Sequence, residues 1–181
     1  MDVDRAAAAR LREVFLGSGF TADGLLALLG ASAYAALGRG EPVPARRALE
    51  GRHGTDAELV RLFVLGDAVP LAEAQRHLPL ADLEAVGLIT GASDVRAAVD
   101  VRPYGESDTD WYVVSDHGPD SAGHDVGEVA VDHVLGVGGA SLTLARLTPR
   151  DPVGGHDGTG VPTEVQRLAA ATAALSGQKW D

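Results

Sequence analysis

Residues able to do chemistry concentrate in three stretches of the chain. Between positions 116 and 133, Asp116, His117, Asp120, His124, Asp125, Asp132 and His133 gather the imidazoles and carboxylates that ligate metals or move protons. Their spacing is irregular, with no His-x-x-x-His pair on a helix, so they read as solvated loop residues and no metal is expected. Ser115 or Ser141 would complete a Ser/His/Asp set with them. No Gly-x-Ser-x-Gly elbow holds either serine, and a hydrolytic triad is discounted.

The other two stretches are rich in glycine. Gly136-Val137-Gly138-Gly139-Ala140-Ser141 precedes the apolar, helix-like run Leu142 to Leu147. Glycines ahead of a helix let a ligand approach the backbone closely, although a tight packing turn has the same appearance. Asp157-Gly158-Thr159-Gly160 has the acid-then-glycine form of a cofactor cradle. Such a cradle needs a β-branched strand before it and a helix directly after it. Here Thr148 to His156 contains two prolines and two glycines, which is a poor central strand, and Val161-Pro162 follows.

The elements that must hold these stretches begin with short helices over residues 4–52. Asp4 caps the first, which presents Leu11, Val14 and Phe15 on one face and ends at Gly17 and Gly19. Thr21 caps a second, running to Gly30, Ser32 starts a third, ending near Gly38, and Pro44 opens a fourth. Thr55-Asp56-Ala57-Glu58 has the form of a capping box, followed by Leu59, Leu62 and Phe63 at helical spacing and a stop at Gly66. Pro70 opens a helix through Leu78. After Pro79 another runs to Val86, with Leu80, Leu83 and Val86 inward and Gly87 as its end. The period then falls to two: Val95, Ala97, Val99 and Val101 alternate with Arg96, Ala98, Asp100 and Arg102. A polar turn over Gly105 to Thr109 leads into a second strand, Trp111 to Ser115. Residues 117–132 lack periodicity and read as loop. Thr163 and Gln166 form a capping box for a last helix with Val165, Leu168, Ala169 and Leu175 on one face.

Three short helices followed by a β-hairpin is the element order of a winged helix-turn-helix. That architecture invites duplex DNA, but the helix that would enter the groove exposes Asp82 and Glu84 and carries neither Lys nor Arg. Arg76 and His77 precede it, and Arg96 and Arg102 are assigned to the wing, which is a thin basic footprint. The whole chain has 26 acidic residues against 15 basic ones, a net charge of -11. That field repels phosphate backbones, so duplex DNA is disfavoured as a partner. The absence of cysteine removes disulfides, thiolate nucleophiles and Cys-type zinc sites together. The acidic N-terminus lacks an apolar segment of signal-peptide type, and no run is long enough to span a membrane. A cytoplasmic location is expected.

Several segments together resemble a known family. Phe20-Thr21-Ala22-Asp23-Gly24-Leu25-Leu26, Leu37 to Pro44, Leu59 to Phe63, Arg102-Pro103-Tyr104 with Asp110-Trp111, and His133 to Ser141 are similar, in order across residues 5–150, to the N-terminal half of bacterial class I S-adenosylmethionine-dependent methyltransferases. These are relatives of the protein-glutamine and ribosomal-RNA methyltransferase group. The resemblance implies a glycine-rich linker beside the cofactor pocket, and then a Rossmann-like domain opening on an Asp-Leu-Gly-Thr-Gly loop. Asp157, Gly158, Thr159 and Gly160 match that loop without its Leu. Leu168 to Gly177 looks like a later helix of the family, but the strand and ribose-binding acid expected before it are missing. The sequence also reaches Asp181 without the family's Asn-Pro-Pro catalytic motif.

On this resemblance S-adenosylmethionine is the implied cofactor, and Gly138, Gly139, Asp157, Gly158 and Gly160 are the implied contacts; no catalytic residue can be named. The expected fold is mainly α with a small β-hairpin. It divides into a helical N-terminal subdomain (1–52), a winged-helix-like subdomain (53–116), a loop and glycine-rich linker (117–148) and a vestigial Rossmann-like fragment (149–181). The expected function is that of an accessory, substrate-recognition region with an incomplete catalytic core, inactive alone and facing a protein or ribosomal substrate. The alternative is a non-enzymatic winged-helix protein-interaction module, with a DNA-binding regulator least favoured.

Overall fold

A computed structural model describes residues 4–106, 109–117, 133–138, 141 and 171–172. Helices α1 (Arg5–Gly17), α2 (Ala22–Leu29), α3 (Ala31–Leu37) and α4 (Val43–Ala48) come first. The Asp4 carboxylate accepts hydrogen bonds from the backbone N–H groups of Ala6 and Ala7 at 2.9 and 3.0 Å, and Thr21 Oγ1 accepts one from Gly24 at 3.0 Å. Both side chains thereby satisfy donors that have no partner within the first turn. The third helix starts a residue early. Gly30 ends α2 and begins α3 at φ +79°, so Ser32 lies inside the helix and caps nothing.

Helix α5 (Thr55–Leu59) continues without a break as a π-helical turn over Val60–Val64. The expected capping box does not form. Gly54 is the cap residue, and Thr55 Oγ1 donates instead to the carbonyl of His77 at 2.9 Å, tying α5 to the end of α6. Strand β1 (Val69–Pro70), helices α6 (Leu71–His77) and α7 (Leu80–Val86), and strands β2 (Ile89–Thr90) and β3 (Asp94–Ala97) follow. Gly87 closes α7 in the left-handed conformation at φ +76°. The three strands form an antiparallel sheet in the order β1-β3-β2. A second sheet is the hairpin of β4 (Asp100–Glu106) and β5 (Thr109–Ser115), paired from Asp100 with Ser115 to Glu106 with Thr109.

The fold is therefore mixed, with about half of the described residues helical and two small antiparallel sheets, rather than mainly helical. Two differences account for this. Strands β1 and β2 are two residues long, too short to show any periodicity. The continuous strand expected from Val95 to Arg102 breaks at Ala98–Val99, and its halves join different sheets. Val95, Ala97, Val99 and Val101 are all buried, because both sheets turn the same side toward one core. The alternation survives the break and conceals the change of partner.

At the centre of that core lie all three phenylalanines of the chain and one tyrosine. The Phe15 ring stands 5.2 Å from Phe20 and 5.2 Å from Tyr112, and Phe20 stacks on Tyr112 at 10° between planes. Phe63, on the π-helical turn, approaches Phe15 at 6.2 Å. First helix, middle helix and last strand are thus joined by one set of rings. The buried Glu58 carboxylate meets Arg61 Nη1 at 2.8 Å, while Arg61 Nη2 donates to the carbonyls of Leu49 and Arg52 at 2.6 and 2.8 Å. One guanidinium satisfies both a buried charge and the open carbonyls beyond α4.

Candidate functional site

Sequence alternation gives the β4–β5 hairpin two unlike faces. Val101, Pro103, Tyr112 and Val114 turn into the core. Val114 sends its N–H away from β4, to Thr172 Oγ1 at 3.0 Å. Its rung, and the Pro103–Tyr112 rung two residues on, are therefore the non-hydrogen-bonded ones, and proline's missing N–H leaves the ladder intact. Asp100, Arg102 and Tyr104 occupy the outer face, opposite Ser115, Val113 and Trp111.

A strap formed by residues 133–138 crosses this outer face. The Asp116 N–H donates to the carbonyl of Val134 at 3.0 Å, and the Val134 N–H returns a bond to the Asp116 carboxylate at 2.7 Å. Further along, the Tyr104 hydroxyl donates to the carbonyl of Val137 at 3.3 Å. Between these clasps Gly136 passes so close to Ser115 that a Cβ there would stand 3.1 Å from Ser115 Oγ. At the base of the hairpin Asp100 is 8% exposed and Ser115 is 4% exposed, although both belong to the outer face. Burial raises the Asp100 pKa, opposed by the Arg102 guanidinium, whose Nε lies 3.0 Å from both carboxylate oxygens. Burial likewise raises the Tyr104 pKa. Trp111, nearer the tip of the hairpin, is 41% exposed, and Leu135, on the strap, is 76% exposed.

The histidine–aspartate stretch is only partly within the described residues. His133 Nδ1 lies 3.7 Å from Asp116 Oδ2, and His117 Nε2 lies 3.1 Å from the carbonyl of Ala97, so these groups fasten the strap and the strand end. Among the described residues no group of three or more His, Asp or Glu side chains is placed to hold a metal. Asp120, His124, Asp125 and Asp132 lie outside the described residues. Ser115 is buried beneath the strap and Ser141 is exposed. Of the glycines implied as cofactor contacts, Gly138 is exposed on the strap, with open space where a Cβ would stand. Gly139, Asp157, Gly158 and Gly160 lie outside the described residues.

Arg102, assigned from sequence to the wing, belongs to the second sheet and is bonded to Asp100 through its Nε. Arg96 is exposed on β3. Helix α7 packs against α1, and Arg10 donates from Nε to both carboxylate oxygens of Asp82 at 3.1 Å. The Arg10 hydrogen bond lowers the Asp82 pKa. The pair of Asp100 with Arg102 is a feature sequence reasoning missed. Alternation places Asp100 on the polar face, and the tertiary structure nevertheless leaves it 8% exposed beside Arg102.

No helix among the described residues is long and apolar enough to cross a membrane. A family model described as a domain of unknown function (DUF7059) matches residues 17–100, from the last residue of α1 to the first of β4. No curated protein and no solved structure matches the chain.

Proposed function

We propose that this chain is the accessory, substrate-recognition part of an S-adenosylmethionine-dependent methyltransferase, built around a winged-helix-like unit and unable to transfer a methyl group alone. The order β1-β3-β2 around α6 and α7 supports the winged-helix reading. The methyltransferase assignment rests on the similarity of the motifs from Phe20 to Ser141. The sequence contains no asparagine, so an Asn-Pro-Pro catalytic motif has no counterpart in it. A fold alone does not confer an activity.

One observation carries the kind of recognition. The helix that would read a groove, α7, is acidic, has α1 packed along it, and has Asp82 held by Arg10. This arrangement supports a protein-facing role and speaks against duplex DNA, whose phosphates Glu84 and Asp82 would repel. It equally favours a second reading, a non-enzymatic winged-helix interaction module.

Isothermal titration with S-adenosylmethionine tests the first reading. The expected result is no micromolar binding by the chain alone; tight binding would overturn the proposed incapacity. Salt-dependent, tight binding to duplex DNA would overturn both readings.

A further inference from the structure

We infer that the outer face of the β4–β5 hairpin is a protein-binding surface that accepts an acidic side chain flanked by apolar ones. This deepens the reading of the chain as a recognition module and rests on it. Arg102, Tyr104 and Trp111 stand together there, with Tyr104 and Trp111 on one rung and Arg102 on the next rung of the same face. Tryptophan, tyrosine and arginine are the side chains that most often dominate binding energy at protein interfaces.

These three are held in place before any partner arrives. The nearly buried Asp100 carboxylate holds Arg102 through Nε, and the carbonyl of Val137 holds the Tyr104 hydroxyl. Strand pairing fixes the backbone under Trp111. Ordering that precedes binding lowers the entropic cost of association. Leu135 is similarly fixed, since Asp116 clasps the strap on one side of it and Tyr104 on the other. A leucine 76% exposed on a pinned strap, on the same face as an exposed indole, presents apolar area outward.

Charge complementarity selects the partner. Only the Nε of Arg102 is hydrogen-bonded among the described residues, and its side chain is 42% exposed. The two outer amino groups match the two oxygens of a carboxylate. Trp111 and Leu135 then take the apolar neighbours of that acid.

The test is selection of a random peptide library on the immobilised full chain. Enrichment of peptides that pair Asp or Glu with an aromatic or aliphatic residue is expected. Synthetic versions should bind about tenfold or more weakly to Arg102→Gln and to Trp111→Ala. Leu135→Asp, at an exposed site that leaves the core untouched, gives the same loss if either hairpin variant fails to fold by circular dichroism. No enrichment over the Arg102→Gln/Trp111→Ala chain, acid-free or Lys/Arg-rich peptides, or unchanged affinity in the variants would overturn the assignment. Binding of poly(U) that Trp111→Ala abolishes would overturn it in favour of RNA. The titration with S-adenosylmethionine reads the methyltransferase proposal separately, because it does not involve this face.

Discussion

Phe15 of α1 and Tyr112 of β5 face each other with ring centroids 5.2 Å apart, so the first helix and the last strand of the described unit close on one another. Phe15 is wholly buried and also touches Phe20 and Phe63. Phe15→Ala should cost about 3–5 kcal/mol, from lost transfer energy plus the cavity left among three rings. Urea unfolding checks this, and a loss below about 1 kcal/mol would mean that the rings repack freely.

Arg61→Ala leaves the Glu58 carboxylate, whose side chain is 4% exposed, with only the His53 imidazole at 3.9 Å beside it, and removes a donor from the carbonyls of Leu49 and Arg52. A loss of about 3 kcal/mol is expected, because a poorly compensated buried charge remains. Arg39→Ala breaks an ion pair whose side chains are 59% and 56% exposed, and should leave the urea midpoint unchanged. Equal effects of the two substitutions would refute the distinction.

Burial raises the Asp100 pKa above its unfolded value, so the native state holds that proton more tightly. The stabilisation this group contributes is complete below the unfolded pKa and is lost as pH rises through the folded one. Wild type should therefore lose ground to Asp100→Asn as pH rises above the ordinary carboxylate pKa. If wild type instead gains on the variant over that rise, attraction to Arg102 outweighs burial.

Gly91 sits at φ +111° in the turn between β2 and β3, and a Cβ there would lie 2.0 Å from the carbonyl oxygen of Asp94. Gly91→Ala must deform this turn, at a cost of roughly 1–3 kcal/mol. A thermal melt indistinguishable from wild type would show that the turn relaxes without penalty.

The clasp between Asp116 and Val134 predicts a local effect. Asp116→Ala should speed hydrogen exchange at the Val134 amide by about tenfold or more, given the worth of a hydrogen bond to a charged acceptor. Asp116→Asn, which retains an acceptor oxygen, should do so less. Equal exchange in all three chains would show that the strap is held elsewhere.

Local chemistry made much of this legible in the amino-acid sequence. Asp4 and Thr21 cap the helices expected of them, and Gly87 ends α7, because each choice depends on a few neighbouring atoms. The inward Leu11 and Phe15 of α1 and Leu83 and Val86 of α7 follow from the helical period, whereas Val14, expected on the same face, is only half-buried; the acidity of α7 can be read directly from Asp82 and Glu84. The tertiary structure decided three other matters. It moved Thr55 from a cap to the carbonyl of His77, it divided one alternating run between two sheets, and it pinned residues 133–138 across the outer face of the hairpin. Each depends on a partner distant along the chain, and side-chain periodicity records which face is buried without recording what buries it.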